Sequence, residues 1–164
     1  MNRWRLALVC IAGVVILLRF GYSRTKSPDR VIQVSEHDPK MNAAIDKARA
    51  SVGTFIAALQ SPKPGQTGFN VKKKFEDGGK VEHIWLDQVT YDGTNFEGII
   101  ANDPEMAKNV KVGQKATVAP AEVSDWMYID HGKLVGGETV RVLLEGLSPA
   151  ERDKFKKSVD FAVE

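Results

Sequence analysis

The stretch FNVKKKFEDGGKVEHIWLDQVTYDGTNFEGIIA, residues 69–101, decides the fold of this 164-residue chain. Apolar and polar residues alternate in residues 69–75, which is typical of a half-buried strand. Turn residues then interrupt the pattern twice, as DGGK at residues 77–80 and DGTN at residues 92–95. The stretch therefore predicts three antiparallel strands joined as a meander.

The residues before this stretch predict one long amphipathic helix. Asp38 can cap its N-terminus, and Pro39 suits the first helical position. Apolar residues recur at steps of three and four from residue 41 to residue 59, which places them on one helical face. The sequence SPKPG at residues 61–65 ends the helix.

The residues after the stretch predict two more strands and two C-terminal helices. The strands are expected at residues 115–119 and 122–130, with a turn at 131–133. The helices are expected at residues 138–145 and from a capping box at Ser148 to about Ala162. The predicted fold class is α+β: an amphipathic N-terminal helix packed on a curved antiparallel sheet of about five strands, with C-terminal helices.

An apolar segment near the N-terminus predicts contact with a membrane. Leu6 to Leu18 reads LALVCIAGVVILL between two basic flanks. Thirteen helical residues rise only about 20 Å against a hydrocarbon core of about 30 Å, which favours a cleaved signal peptide. Trp4 and Tyr22 lie at positions suited to the two interfaces and favour an uncleaved anchor. Both alternatives stay open.

These features divide the chain into three parts. We predict a signal anchor or signal peptide at residues 1–22, a flexible tether at residues 23–37 and a single α+β domain at residues 38–164. The expected location is the bacterial inner membrane, with one span through Leu6 to Leu18 and the domain in the periplasm. After cleavage the domain would be periplasmic or secreted.

The charge balance argues against a nucleic-acid partner. The chain has 23 basic and 21 acidic residues, but residues 1–26 contain five of the basic ones and no acidic one. The remainder therefore carries a net charge of −3, and nucleic-acid binding requires a basic face. Cys10 is the only cysteine, so the predicted domain has neither a disulfide nor a thiol nucleophile.

Familiar catalytic and metal-binding motifs are absent from the sequence. The three histidines, His37, His83 and His131, are far apart, and there is no HExxH, CxxC, GxSxG or phosphate-binding loop. We therefore predict no catalytic residue, no metal site and no cofactor. An enzymatic role stays undecided and is less favoured than binding.

Two clusters of polar and aromatic residues are candidates for a groove. Trp85 and Trp126 are either core anchors or groove walls, because tryptophan combines a large apolar area with an N–H group that needs a partner. The candidate groove residues are Glu82, His83, Trp85, Asn102, Asp125 and Trp126. The carboxylates of Glu82 and Asp125 could act as an acid and a base if they met.

The run Lys72-Lys73-Lys74 is a second candidate for binding. Lys73 shares a strand face with the apolar residues, whereas Lys72 and Lys74 point away from it. The run indicates either a binding patch or a solvated strand face, and the solvated face is the favoured interpretation.

Several short motifs of the chain resemble a known family. Their order is Val71-Lys72, Glu82-His83-Ile84-Trp85, Phe96-Glu97-Gly98-Ile99-Ile100, Asn102-Asp103-Pro104, Val112-Gly113 and Asp125-Trp126-Met127. This order, between residues 38 and 144, resembles the YegJ-like family of bacterial domains of unknown function (domain of unknown function 2314). The resemblance implies a small α+β domain, often behind a signal sequence, and implies no reaction.

A fainter similarity, from Gly98 and Ile100 to Asp125-Trp126, is to bacterial immunity proteins that neutralise toxins. We therefore predict a protein-binding module that faces the cell envelope, with an immunity protein as the most specific candidate. The alternative is a periplasmic domain that binds a small molecule or acts as an enzyme through Glu82, His83 and Asp125.

Overall fold

A computed structural model describes residues 38–163 of the chain. In this part the elements follow in the order α1 (Pro39–Ala50), α2 (Val52–Gln60), β1 (Gln66–Asp77), β2 (Lys80–Tyr91), β3 (Phe96–Ile100), β4 (Lys115–Val118), a 3₁₀ turn (Pro120–Glu122), β5 (Val123–Asp130), β6 (Lys133–Gly136), α3 (Glu138–Glu145) and α4 (Pro149–Ser158). The helices in the described range are too short or too polar to cross a membrane. The predicted anchor at residues 1–22 and the tether at residues 23–37 lie outside the described residues.

The six strands of the described range form one antiparallel sheet with the order β4-β3-β2-β1-β5-β6. The predicted α+β class and the meander of β1, β2 and β3 are confirmed. The prediction of about five strands was too low, because residues 133–136 form a sixth strand. His131 and Gly132 make the tight turn before it, with φ angles of 47° and 78° that match the twist of a two-residue hairpin.

The core lies on one side of this sheet, which we call the first face. Its side chains come from alternate positions of neighbouring strands and are fully or almost fully buried: Val71, Ile84, Leu86, Phe96, Ile100, Val118 and Trp126. Helices α1 and α2 cover part of this face, and Phe55 of α2 contacts the rings of Phe96 and Trp126. The segment 101–114 covers the rest, with Ala107 packed against Ile84 and Ile100.

The predicted single N-terminal helix is two helices, because Ser51 interrupts it. The Ser51 hydroxyl donates to the carbonyl oxygens of Lys47 and Ala48, at 2.8 and 3.2 Å. Such bonds from serine back to the preceding turn compete with the regular helical ladder. Asp38 caps α1 as predicted, and its carboxylate accepts from the backbone N–H groups of Lys40 and Met41.

The two predicted C-terminal helices are confirmed, but the second is shorter than predicted. The α4 capping box between Ser148 and Glu151 is present, and the helix ends at Ser158 instead of about Ala162. Backbone bonds explain the difference: the N–H of Leu134 donates to the carbonyl of Ala162, and the N–H of Ala162 donates to the carbonyl of Gly132. The last residues therefore run beside β6 and do not continue the helix.

Candidate functional site

The opposite side of the sheet, which we call the second face, carries most of the polar chemistry. Lys72 on β1 lies opposite Trp85 on β2 and Asp125 on β5, so these three residues share this face. Strand register also places Lys74, His83, Ile99 and Met127 on it. Asp125 is fully buried, whereas Trp85, Ile99 and Met127 are only half-buried.

Lys72 is buried on the second face, so the prediction that it lies on a solvated strand face was wrong. Only 9% of the residue is exposed. Its ammonium nitrogen donates to Thr139 Oγ1 of α3 at 3.1 Å and lies 5.0 Å from the centre of the Trp85 ring. A cation over the face of an indole ring is attracted by the ring quadrupole. Thr139 and Trp85 together therefore remove the head of this lysine from water.

Asp125 holds the beginning of helix α3 against the sheet. Its Oδ1 accepts from the backbone N–H groups of Trp126 and Glu138, at 2.8 and 3.1 Å. Its Oδ2 accepts from the backbone N–H of Thr139 at 2.9 Å and from the Thr139 hydroxyl at 2.5 Å. The residue preceding the helix is Gly137, which has no side chain to cap it. Asp125 supplies the missing cap from a distant strand, and its charge suits the positive end of the helix dipole.

The hydroxyl of Thr139 links these two charged groups. Burial lowers the pKa of Lys72, and the attraction of Asp125 opposes this shift. Burial likewise raises the pKa of Asp125, against the hydrogen bonds from Thr139 and the charge of Lys72. Among residues 38–163, the Thr139 hydroxyl is the one hydrogen-bond acceptor of the Lys72 ammonium, which has three donors. The Asp125 carboxylate thus accepts four hydrogen bonds, whereas the Lys72 ammonium donates one within this range.

A hydroxyl beside a lysine could in other surroundings serve as an activated nucleophile. Here Thr139 is only 2% exposed and its hydroxyl proton is directed to Asp125. A substrate therefore has no path to its oxygen. Within the described range, no three His, Cys, Asp or Glu residues come close enough together to hold a metal ion.

Glu82 lies on the first face and holds the segment 101–114. Its carboxylate accepts from the backbone N–H groups of Glu105, Met106 and Ala107, at 3.1, 2.9 and 3.0 Å. Burial works to raise the pKa of Glu82, but these three bonds and the charge of Lys108 outweigh it and hold the pKa below its usual range. This carboxylate is an anchor for the segment.

The six predicted groove residues divide between the two faces. Trp85, His83 and Asp125 share the second face, and Asn102 supports Trp85 by accepting from its backbone N–H at 3.3 Å. Glu82 and Trp126 project to the first face, where the Trp126 indole donates to the carbonyl of Ala48 at 2.8 Å. Trp126 is therefore a core anchor, and the carboxylates of Glu82 and Asp125 do not face a common groove.

Sequence reasoning missed Lys72 and Thr139 as members of the polar cluster. The alternating pattern correctly placed Lys72 on the side of β1 opposite the apolar residues, but it gave no information about what packs against that opposite side. Thr139 is 67 positions from Lys72 in the chain, and its contact depends on how α3 returns to the sheet. No local pattern signals such a contact.

Comparison with known proteins identifies the family. Residues 38–162 match the family described as "Uncharacterized protein conserved in bacteria (DUF2314)". The chain belongs to this family. It is 37% identical to the uncharacterized protein YegJ of Escherichia coli strain K12 over 149 residues, which cover 91% of this chain and 95% of that protein. The resemblance inferred from the short motifs is therefore confirmed.

A second relative shares a smaller part. The chain is 34% identical to a putative ankyrin repeat protein of Neisseria meningitidis serogroup B over 88 residues, which are 52% of this chain and 35% of that protein. No solved structure matches the chain.

Proposed function

We propose that this domain is a protein-binding module and that the second face around Trp85 is its contact surface. The module would be held at the outer face of the bacterial inner membrane by the apolar segment Leu6 to Leu18. A tether of fifteen residues, 23–37, spans at most about 50 Å when extended, which is enough to hold the domain clear of the headgroups.

The observation that carries this proposal is the contrast between the two faces of one sheet. Large apolar side chains on the first face are buried under helices and the segment 101–114. Trp85, Ile99 and Met127 on the second face are only half-buried. Half-exposed tryptophan and methionine beside polar groups are enriched at protein interfaces, and tryptophan often dominates their binding energy.

The placement of the carboxylates favours binding over catalysis. An acid–base mechanism needs both groups within reach of one substrate. Glu82 and Asp125 lie on opposite faces, and all four lone-pair positions of Asp125 are used by donors of the fold. The second face therefore offers contact area and hydrogen-bonding groups in preference to a reactive centre.

Site-specific crosslinking in living bacteria tests the proposal. A photoreactive benzoylphenylalanine would replace Trp85 in the full chain, and the matched control would replace Asp46, which is exposed on α1. We expect one protein to crosslink from position 85 and not from position 46. The purified partner should bind the wild-type chain at least about tenfold more tightly than Trp85→Ala, since interface tryptophans commonly contribute more than 2 kcal/mol. Equal affinities would refute the proposed surface.

The membrane location and the nature of the partner have their own tests. Alkaline phosphatase fused after Glu164 is active only outside the cytoplasm, so an inactive fusion with a normal protein level would contradict the periplasmic location. The similarity to immunity proteins makes a toxin the most specific partner. If the partner identified by crosslinking is a toxin, co-expression of this chain should restore the growth of cells that produce the toxin. Trp85→Ala should weaken this protection.

A further inference from the structure

We propose that the outer edge of β6 binds an extended segment of a partner protein by strand addition, and that residues 159–163 mask this edge until the partner displaces them. We call residues 159–163 the C-terminal strap. This inference rests on the proposed protein-binding function and adds a second contact to it. The edge adjoins the proposed contact surface, because Met127 on the second face lies opposite Gly136 of β6.

The first step concerns the backbone groups along this edge. Residue pairs of antiparallel strands alternate, so every second residue of β6 directs its N–H and C=O groups away from β5. Leu134 is such a residue, and its N–H donates to the carbonyl of Ala162 at 2.9 Å. The N–H of Ala162 in turn donates to the carbonyl of Gly132 at 2.7 Å. These two bonds form a parallel bridge that sets Ala162 beside Lys133, so an extended segment already fits the edge in this direction.

The second step concerns the strand beneath the strap. β6 pairs with β5 over all four of its residues, Lys133 to Gly136. Arg141 of α3 donates to the carbonyls of Leu134 and Gly136, at 3.0 and 3.3 Å. None of these contacts involves the strap. The edge should therefore keep its shape when the strap leaves, with the Leu134 N–H and the Gly132 carbonyl in place for an arriving segment.

The third step concerns the attachment of the strap. Among residues 38–163, the two bonds of Ala162 are the only backbone hydrogen bonds between the strap and β6. No residue of α4 is buried, and no residue of the strap is buried either. The strap follows α4, so it can leave without breaking a strand of the sheet. A segment with few buried contacts opens at a low free energy, which suits a displaceable cover.

The strap also indicates the chemistry of the partner. Every second residue of the strap is half-buried: Val159, Phe161 and Val163. Asp160 and Ala162 between them are exposed. This alternation is that of a strand with one side packed on the protein. The partner segment should therefore be extended and carry apolar residues at alternate positions, because in strand addition main-chain bonds give affinity and alternate side chains give specificity.

The test uses the full chain in neutral maltoside micelles and an end-blocked peptide with the sequence of residues 158–163, SVDFAV. Ala162→Pro opens the edge, because proline has no N–H to donate to the Gly132 carbonyl. Ala162→Gly keeps this N–H and is the matched control. Hydrogen exchange of the Leu134 amide, followed by NMR, reports whether an acceptor lies on the edge.

We expect the Leu134 amide to exchange at least about tenfold faster in Ala162→Pro than in wild type or Ala162→Gly. The peptide should restore slow exchange in Ala162→Pro. It should bind this variant at least about tenfold more tightly than wild type, because the attached strap competes at a high effective concentration. A peptide that is N-methylated at its alanine lacks the donor and should not bind. A peptide carrying Phe161→Ser should bind about tenfold more weakly, because it loses apolar contact.

Three results would overturn the inference. Unchanged exchange of the Leu134 amide in Ala162→Pro would show that the strap does not cover the edge. Equal binding of the N-methylated peptide would show that the peptide does not bind by strand addition. Dimerisation of Ala162→Pro without peptide, measured by sedimentation, would assign the edge to a second copy of the chain. If Ala162→Pro does not fold, as judged by circular dichroism, the comparison of the unmodified and N-methylated peptides on the wild-type chain decides alone.

The two proposals fail separately. A partner crosslinked from position 85 that binds Ala162→Pro and wild type equally would leave the protein-binding function standing and remove the strand-addition inference. Peptide binding at the edge without any protein crosslinked from position 85 would do the reverse.

Discussion

Replacement of Asp125 by asparagine should destabilise the domain more than any other single change on the second face. The carboxylate accepts four hydrogen bonds, two at each oxygen, and is fully buried. Asparagine keeps one acceptor oxygen and turns its NH₂ group toward two of the donors. Each buried donor left unbonded costs about 1–3 kcal/mol, and breaking a buried charged pair typically costs about 3–5 kcal/mol. We therefore expect Asp125→Asn to lower the free energy of unfolding by about 3–5 kcal/mol.

Thermal unfolding of the full chain in maltoside micelles, followed by circular dichroism, measures this loss. A domain of this size loses about 3–4 °C in Tm per kcal/mol, so Tm should fall by about 10–20 °C. Lys154→Met on the exposed side of α4 is the control and should stay within about 0.5 kcal/mol of wild type. A loss below about 1 kcal/mol in Asp125→Asn would refute the role of this carboxylate as the cap of α3.

Replacement of Lys72 should destabilise the domain less than replacement of Asp125, because Asp125 makes four hydrogen bonds and Lys72 makes one within the described residues. Lys72→Met keeps the buried stem and leaves Asp125 with all four of its donors, so we expect a loss below about 1 kcal/mol. In Asp125→Asn the ammonium loses its only nearby counter-charge among residues 38–163. Adding Lys72→Met to that variant should therefore restore at least about 1 kcal/mol. A double variant that is as unstable as the sum of the single variants would show that the two groups are not coupled.

Two further predictions concern the first face and the edge of the sheet. Glu82→Gln should cost about 1–2 kcal/mol at pH 7, because one amide oxygen cannot serve three backbone donors. The folded-state pKa of Glu82 lies below its usual range. Its contribution to the free energy of unfolding is therefore fully present above about pH 4.5 and is lost as the pH falls through the folded-state pKa. The difference in Tm between wild type and Glu82→Gln should accordingly shrink toward about pH 3. Gly136→Ala should cost at least about 2 kcal/mol more than Gly78→Ala. Both glycines have a positive φ, but only at Gly136 would an added Cβ atom come within 2.3 Å of the Trp126 carbonyl oxygen and 2.6 Å of the Trp126 ring. Thermal melts of the two glycine variants check this, and equal Tm values would contradict it.

Local patterns in the sequence were sufficient for the parts of the fold that depend on neighbouring residues. The meander follows from alternation and two tight turns, and the cap at Asp38 follows from residues within one turn of helix. The break at Ser51 was missed because the apolar period of the helix continues through it without change. β6 was missed because four residues are too few for a recognisable alternation.

The candidate site depended on information that local patterns do not contain. Alternation predicts which side of a strand a residue occupies, and it placed Lys72 and Lys73 on opposite sides. Whether a side is exposed depends on what packs against it, and here Thr139 arrives from the C-terminal part of the chain. Glu82 and Asp125 looked like a possible pair because both are acidic residues on strands, but register between strands puts them on opposite faces.

The same three groups that fix helix α3 also lie next to the proposed contact surface. Asp125 bonds the backbone at the start of α3, the hydroxyl of Thr139 joins Asp125 to Lys72, and the Lys72 ammonium lies over the half-exposed ring of Trp85. A change in the charge or position of Lys72 therefore alters the surroundings of Trp85 directly and those of α3 through the hydroxyl group of Thr139. Because four donors hold Asp125 in place without Lys72, a substitution at Lys72 should have only a small cost to the fold. This inequality makes Asp125 the member of the cluster most needed for stability.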